Sequence, residues 1–160
     1  MIDLFSILTT IFWFLVIITI IVFIHEMGHL LVARLFGVKV EEFSLGFGKE
    51  LAHYRCKQKT RWKLSAIPLG GYVRFFGDAT VFSSEDREKL SKMTKSQKRQ
   101  AFAFKPVWQK FLVVLGGPFA NYLTAFLIFT YIFAAFGRAE ITPEVTSVVE
   151  GSPAEIAGIE

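Results

Sequence analysis

Two long uncharged apolar stretches constrain this chain more than anything else in it. Ile7 to Ile24 contains neither a charge nor a proline, and apolar character resumes after a short polar cluster as far as Phe36. Phe111 to Phe136 is a second uncharged run. A helix rises about 1.5 Å per residue, so about 20 apolar residues cross a hydrocarbon core of roughly 30 Å, and both stretches are long enough to span. Of the 160 residues, 52% are hydrophobic and 18 are Phe. A soluble domain of this size could hardly bury that much apolar surface. A cleaved signal peptide is the competing reading of the first stretch. It would need a basic leader, a shorter apolar run and a small-residue cleavage site. The only early charge here is Asp3, and the reading fails on all three counts.

Charge gives the orientation. Of the 18 Lys and Arg, 17 fall between Arg34 and Lys110, against 7 acids, whereas Gly137 to Glu160 holds one base, Arg138, against five acids. Basic residues stay on the cytoplasmic side, so 34–110 is expected inside and both chain ends outside. That placement also explains a pI near 9.3 without a nucleic-acid partner, and none is expected. The single cysteine, Cys56, supports neither a disulfide framework nor a cysteine metal cluster.

At the inner end of the first span stands His25-Glu26-Met27-Gly28-His29. On a helix, positions i and i+4 project about 40° apart, so both imidazoles can reach one metal ion. Glu26 lies about 60° round from His29, on the same side, near enough to take a proton from water activated by that metal. Zinc lowers the pKa of a bound water to about 7, and the glutamate can pass the proton on to the leaving amine of a peptide bond. The bland alternative is a helix end among polar headgroups. Such ends use Lys, Arg, Trp and Tyr rather than three ionisable groups in five residues, each costing about 2.5–3.5 kcal/mol at the bilayer centre. The sequence therefore assigns His25 and His29 as metal ligands, Glu26 as catalytic base and Zn2+ as cofactor. Gly28 lets another backbone approach closely, such as an extended substrate, and equally suits packing of a neighbouring helix; the two readings are compatible.

Between the spans, residues 37–81 read as strands and turns: Val40 to Leu45, Gly46-Phe47-Gly48, Leu51 to Tyr54, Trp62 to Ile67, and Tyr72 to Phe76 after Pro68-Leu69-Gly70-Gly71. Gly-Gly between apolar runs signals a tight hairpin. Gly46-x-Gly48-Lys49 is a poor phosphate loop, because no helix start follows it. Few polar positions lie along Ile67 to Phe76, so the hairpin is expected to re-enter the membrane toward the metal site. Its free edge, with Gly70 and Gly71, could pair with a substrate strand. A sheet resting on the cytosolic surface is the alternative. Residues 82–105 form a charged linker with Ser83 or Ser84 as a helix cap, Glu85–Lys89 and Glu88–Lys92 as i,i+4 pairs, and an interfacial approach to the second span. In the second span, 106–137, Asn121 is the only amide in the uncharged run. It either holds a substrate backbone or ties two helices together. Residues 138–160 read as a strand, a turn and a short helix.

In order along the chain, His25-Glu26-Met27-Gly28-His29, Gly46-Phe47-Gly48, Pro68-Leu69-Gly70-Gly71-Tyr72-Val73 and Gly117-Pro118-Phe119-Ala120-Asn121 resemble the site-2 protease family of intramembrane zinc metalloproteases, in its bacterial regulator-of-sigma-E branch. Ser152-Pro153-Ala154 with Ala157-Gly158 looks like the opening of a PDZ domain. The resemblance implies a mainly α membrane protein: first transmembrane helix 1–36, re-entrant β region, cytosolic linker, second transmembrane helix, then the start of a periplasmic PDZ domain. It implies a multi-pass protein of the bacterial inner membrane, with the lipid bilayer as its surroundings. The implied activity is cleavage of the transmembrane segment of a protein substrate such as an anti-sigma factor. Family members complete the zinc site with an Asp from a later helix, which has no matching position here; Asp78 and His53 are the spare candidates, and neither sits in a suitable motif. The expectation is a fragment that binds zinc weakly and cleaves nothing alone, with a non-catalytic membrane scaffold as the alternative.

Overall fold

A computed structural model of the chain describes residues 3–78, 90–137 and 147–158. The first span is one helix, α1 (Leu4–Leu35), whose first turn is capped by the Asp3 carboxylate accepting from the Ser6 amide at 3.1 Å. It ends where Gly37 takes φ +68°. The amides of Gly37 and Val38 donate back to the carbonyls of Arg34 and Ala33 at 2.9 Å, which closes the last turn. The second span is α3 (Val107–Phe136), with Pro118 in its interior. Both helices are long and apolar enough to cross a membrane. Phe12, Ile20, Phe126 and Phe133 on them are all more than half exposed. Water does not tolerate apolar faces of that extent, and lipid does; this is a membrane protein.

Between the spans lie two long strands, β1 (Val40–Arg55) and β2 (Arg61–Phe75), paired antiparallel. They meet at a turn in which the Cys56 amide donates to the Thr60 carbonyl at 3.1 Å and Lys59 takes φ +65°. The four short strands expected from the sequence are thus continuous in pairs. The pairing is also less simple than a hairpin. Glu42 to Leu45 is flanked on both edges, by 71–74 with numbers descending and by 61–64 with numbers ascending. Residues 50–55 pair with 61–65. The Gly70-Gly71 tight hairpin is corrected: β2 runs through both glycines and crosses from one edge of β1 to the other. Gly70 holds φ +144° with the Phe47 ring against the place where a Cβ would be. Gly46 and Gly48, at φ +86° and +81°, bend β1 at the same level.

The core sits where the C-terminal half of α1 meets the sheet and the start of α3: Leu30, Ala33, Val38, Val40, Phe43 and Val113. A short helix, α2 (Lys95–Gln100), is capped by Thr94 and Gln97 in a reciprocal box. A 3-10 turn at Phe102–Phe104 leads into α3. Residues up to Phe126 form one compact unit; Leu127–Glu160, with the end of α3 and a short helix α4 (Pro153–Ile156), form another. The cap at Ser83 or Ser84, the Glu85–Lys89 pair, Glu88 of the second pair and the start of the tail strand at Val145 lie outside the described residues.

Candidate metal centre

Helical spacing puts His25 and His29 on one stripe of α1, with ring centroids 4.8 Å apart and planes at 79°. Three residues of α3, spaced four apart, run alongside that pair. At one end, His29 Nδ1 lies 2.7 Å from the Val113 carbonyl oxygen. A carbonyl only accepts, so Nδ1 carries the proton and Nε2 keeps its lone pair. At the other end, Asn121 Nδ2 lies 3.2 Å from His25 Nδ1. In the middle is Gly117. A Cβ built there would lie 2.7 Å from His25 Nε2 and closer still to His29 Nε2. Both free ring nitrogens therefore converge on the space that Gly117 leaves empty.

The helices can come this close because of two further glycines. A Cβ on Gly28 would collide with the Gly116 backbone, and one on Gly116 would lie 2.8 Å from the Gly28 carbonyl oxygen. The close approach that Gly28 permits is thus made by α3. Adjacent glycines on α3 divide the work: Gly116 lets the backbones touch, and Gly117 opens the face toward the histidines. Asn121, expected either to contact substrate or to join two helices, lies at hydrogen-bond distance from His25 and so links α1 and α3.

Glu26 is partly buried on the sheet side of α1. A Cβ on Gly71 would lie 3.0 Å from Glu26 Cγ, 3.2 Å from Val22 Cγ1 and 2.7 Å from the Ser44 carbonyl oxygen. Only a glycine lets β2 lie this close to both β1 and α1, and it brings the strand past the carboxylate. Gly70 adjoins it under the Phe47 ring. The site thus draws on three separate segments: α1 for His25, Glu26 and His29, α3 for Val113, Gly117 and Asn121, and β2 for Gly71.

Two imidazole Nε2 atoms converging on one open face suit a metal of the zinc type, which takes neutral imidazole nitrogen in tetrahedral geometry. Among the described residues no group of three His, Cys, Asp or Glu surrounds one point. The spare candidates are engaged elsewhere. His53 Nδ1 lies 2.6 Å from Glu50 Oε1. Asp78 lies at the surface, with its carboxyl pushed up by partial desolvation against a smaller downward pull from Lys110. Sequence reasoning missed Val113 and Gly117. The first acts through its backbone and leaves no side-chain signal; the second was legible only as part of the Gly117-Pro118-Phe119-Ala120-Asn121 motif, with no role of its own.

A membrane protein with paired histidines and a glutamate on one helix, packed on a Gly-Pro helix, is the class that fold and site define. Comparison with known proteins makes it specific: the profile of peptidase family M50 matches residues 13–157, and the chain belongs to that family. A candidate zinc metalloprotease of Agrobacterium fabrum is 44% identical over 91% of this chain and 39% of its own length. One of Brucella suis is 45% identical over 94% and 40%. A metalloprotease of Caulobacter vibrioides is 40% identical over 90% and 38%. The chain spans about two fifths of the length of these curated relatives.

Proposed function

We propose that this chain is the zinc-holding and substrate-aligning part of an intramembrane metalloprotease of the regulator-of-sigma-E type. The observation that carries the reading is the convergence of His25 Nε2 and His29 Nε2 on the bare Gly117 face, with each Nδ1 held by α3. His25 and His29 would hold zinc, with a third ligand from outside the described residues, as catalytic sites use three protein ligands. When bound, zinc supplies the Lewis acidity that activates a water and polarises the scissile carbonyl. Glu26 takes the proton from the attacking water and returns it to the leaving amine. Val113 fixes the tautomer of His29. Asn121 does the same for His25 when its amide is turned with Oδ1 against Nδ1–H, which leaves Nε2 its lone pair; a half-turn of the amide exchanges Oδ1 and Nδ2.

The substrate would be an extended stretch of a membrane-embedded protein, such as the transmembrane segment of an anti-sigma factor. Among the described residues, 71–73 pair along one edge only, and Gly71 passes Glu26. A strand added to the other edge would run beside the base, its backbone amides satisfied by β2 as lipid requires. Residues 34–110 face the cytoplasm of a bacterial inner membrane, the N-terminus and the tail face outward, and α4 opens a PDZ domain.

Zinc affinity of the detergent-purified chain, by competition with a chelating dye, tests the metal assignment. His25→Ala and His29→Ala should each weaken binding at least tenfold, while Glu26→Gln should leave it unchanged. Equal binding by the histidine variants would remove the metal site. A chain extended by the C-terminal remainder of a curated relative should cleave a membrane substrate, and Glu26→Gln should abolish cleavage. Cleavage retained in that variant would remove Glu26 as the base. An extended chain that holds zinc and cleaves nothing would favour the scaffold alternative.

A further inference from the structure

The sheet changes character along its length. At one end, Phe47, Leu51, Leu64, Ile67 and Leu69 are each 45–63% exposed. At the other end five bases, Lys39, Arg55, Lys59, Arg61 and Arg74, surround a groove of about 290 Å³ together with Glu41 and Glu42. A second cavity of about 280 Å³ adjoins it through Lys39 and reaches Arg34.

The charges in this groove are unevenly matched. Glu42 is buried and taken up by the Tyr72 hydroxyl and by Arg74 Nη2 at 3.3 Å. Glu41 lies 3.8 Å from Arg74, and Arg61 is held by Glu50 at 2.8 Å. Lys39, Arg55 and Lys59 have no acid within 4.0 Å among the described residues. The groove is also held in shape. Thr60 is buried, donates to the Val40 carbonyl at 2.8 Å and accepts from Arg34 Nη2 at 3.1 Å, which pins the β1–β2 turn to the last turn of α1.

Its depth follows from the helix. The 32 residues of α1 extend about 48 Å, against about 40–45 Å for a bilayer with its headgroups. Arg34, in the last turn, therefore reaches headgroup level. Trp108 packs edge-on against Phe36 at 5.3 Å, and Lys105 Nζ donates to the Phe36 carbonyl at 2.7 Å, the aromatic and basic groups that mark an interface. The apolar end of the sheet then points toward acyl chains and the cationic groove opens among phosphates.

We infer that this groove binds the phosphate-bearing headgroup of an anionic phospholipid, with Lys39, Arg55 and Lys59 as its contacts. A zwitterionic headgroup brings its own cation into a site that already has surplus positive charge, so an anionic lipid is selected. This does not depend on the metal site.

The test is lipid binding to the delipidated, detergent-purified chain by native mass spectrometry, with phosphatidylglycerol, phosphatidylcholine and inorganic phosphate as probes. One phosphatidylglycerol should bind in preference to phosphatidylcholine. The triple variant K39Q/R55Q/K59Q should weaken that binding by on the order of 100-fold, from the contribution of each base near a membrane surface. These three bases make no ion pair among the described residues, so their loss should not unfold the sheet, and an unchanged circular dichroism spectrum checks this. Diffuse attraction predicts the same loss from K95Q/K98Q/R99Q on α2; equal losses in the two triples would overturn the site. So would no preference for the anionic lipid, or inorganic phosphate displacing it at equal concentration, which would make free phosphate the ligand. Adding salt to the wild type should weaken phosphatidylglycerol binding, and salt-independent binding would also overturn the inference.

Discussion

In the contact between α1 and α3, position is set by atoms that are missing. Gly28, Gly116 and Gly117 bring two backbones together, and the polar nitrogens of His25 and His29 find partners on α3 at Asn121 and Val113. At the charged end of the sheet, position is set by groups that are present. Buried Glu42 is held by Tyr72 and Arg74, and buried Thr60 by Val40 and Arg34. The difference teaches where each region should fail. The helix contact should break when an atom is added, and the charged end of the sheet when one is taken away. Glu26 stands between them, on α1 but against Gly71 of β2.

The largest effect is expected at that junction. Glu26→Gln keeps the shape of both regions and removes only the base, so cleavage by an extended chain should fall by a factor of about 10²–10⁴ or more. Next comes an addition to the helix contact. Gly117→Ala puts a methyl where both Nε2 atoms point, and zinc affinity should fall at least tenfold, with the helical circular dichroism kept. Wild-type affinity in that variant would mean that the metal face lies elsewhere and the missing-atom account of α1 and α3 is wrong. For the sheet, the deletion Glu42→Ala takes the carboxylate from Tyr72 and leaves Arg74 only Glu41, and should cost about 2 kcal/mol, read as a lowered melting temperature in detergent. Glu42→Gln keeps an acceptor and should cost less. A deletion in the helix contact sharpens the contrast: Asn121→Ala should weaken zinc by about tenfold, the lower end for partners of metal-bound histidines, with little change in melting.

The smallest effect belongs to Asp78, outside both regions. Partial desolvation raises its carboxyl above the ordinary value, with Lys110 pulling the other way. The folded state therefore holds this proton more tightly than the unfolded one. Its contribution to stability is complete below the unfolded pKa and is lost as pH rises through the folded one. Asp78→Asn should remove that pH dependence, and at neutral pH should stabilise by a fraction of about 1 kcal/mol. Melting temperature against pH checks this: the variant should gain more stability than the wild type as pH rises through the acid range, and a smaller gain would reverse the sign.

The two helices were legible because an uncharged run admits one solution in lipid: a backbone that satisfies itself. The expected runs from Ile7 and to Phe136 correspond to Leu4–Leu35 and Val107–Phe136. The histidine spacing was legible for a related reason, since i and i+4 meet on a helix whatever surrounds it. The sheet was legible as strands and not as a pairing. Gly70-Gly71 carries the signature of a tight turn, yet the strand continues through it, because 71–75 pairs with 40–45 rather than with the strand just before it.

Sequence alone therefore determined what is local: two spans, their charge asymmetry, and two imidazoles and a carboxylate on one helical stripe. The tertiary structure decided everything that needs a second segment. It placed the Val113 carbonyl on His29, Asn121 on His25, the empty side of Gly117 before both rings, and Gly71 against Glu26. The reason is physical. Backbone carbonyls and absent side chains carry no identity in a sequence, and their chemistry exists only once packing brings another chain segment to them.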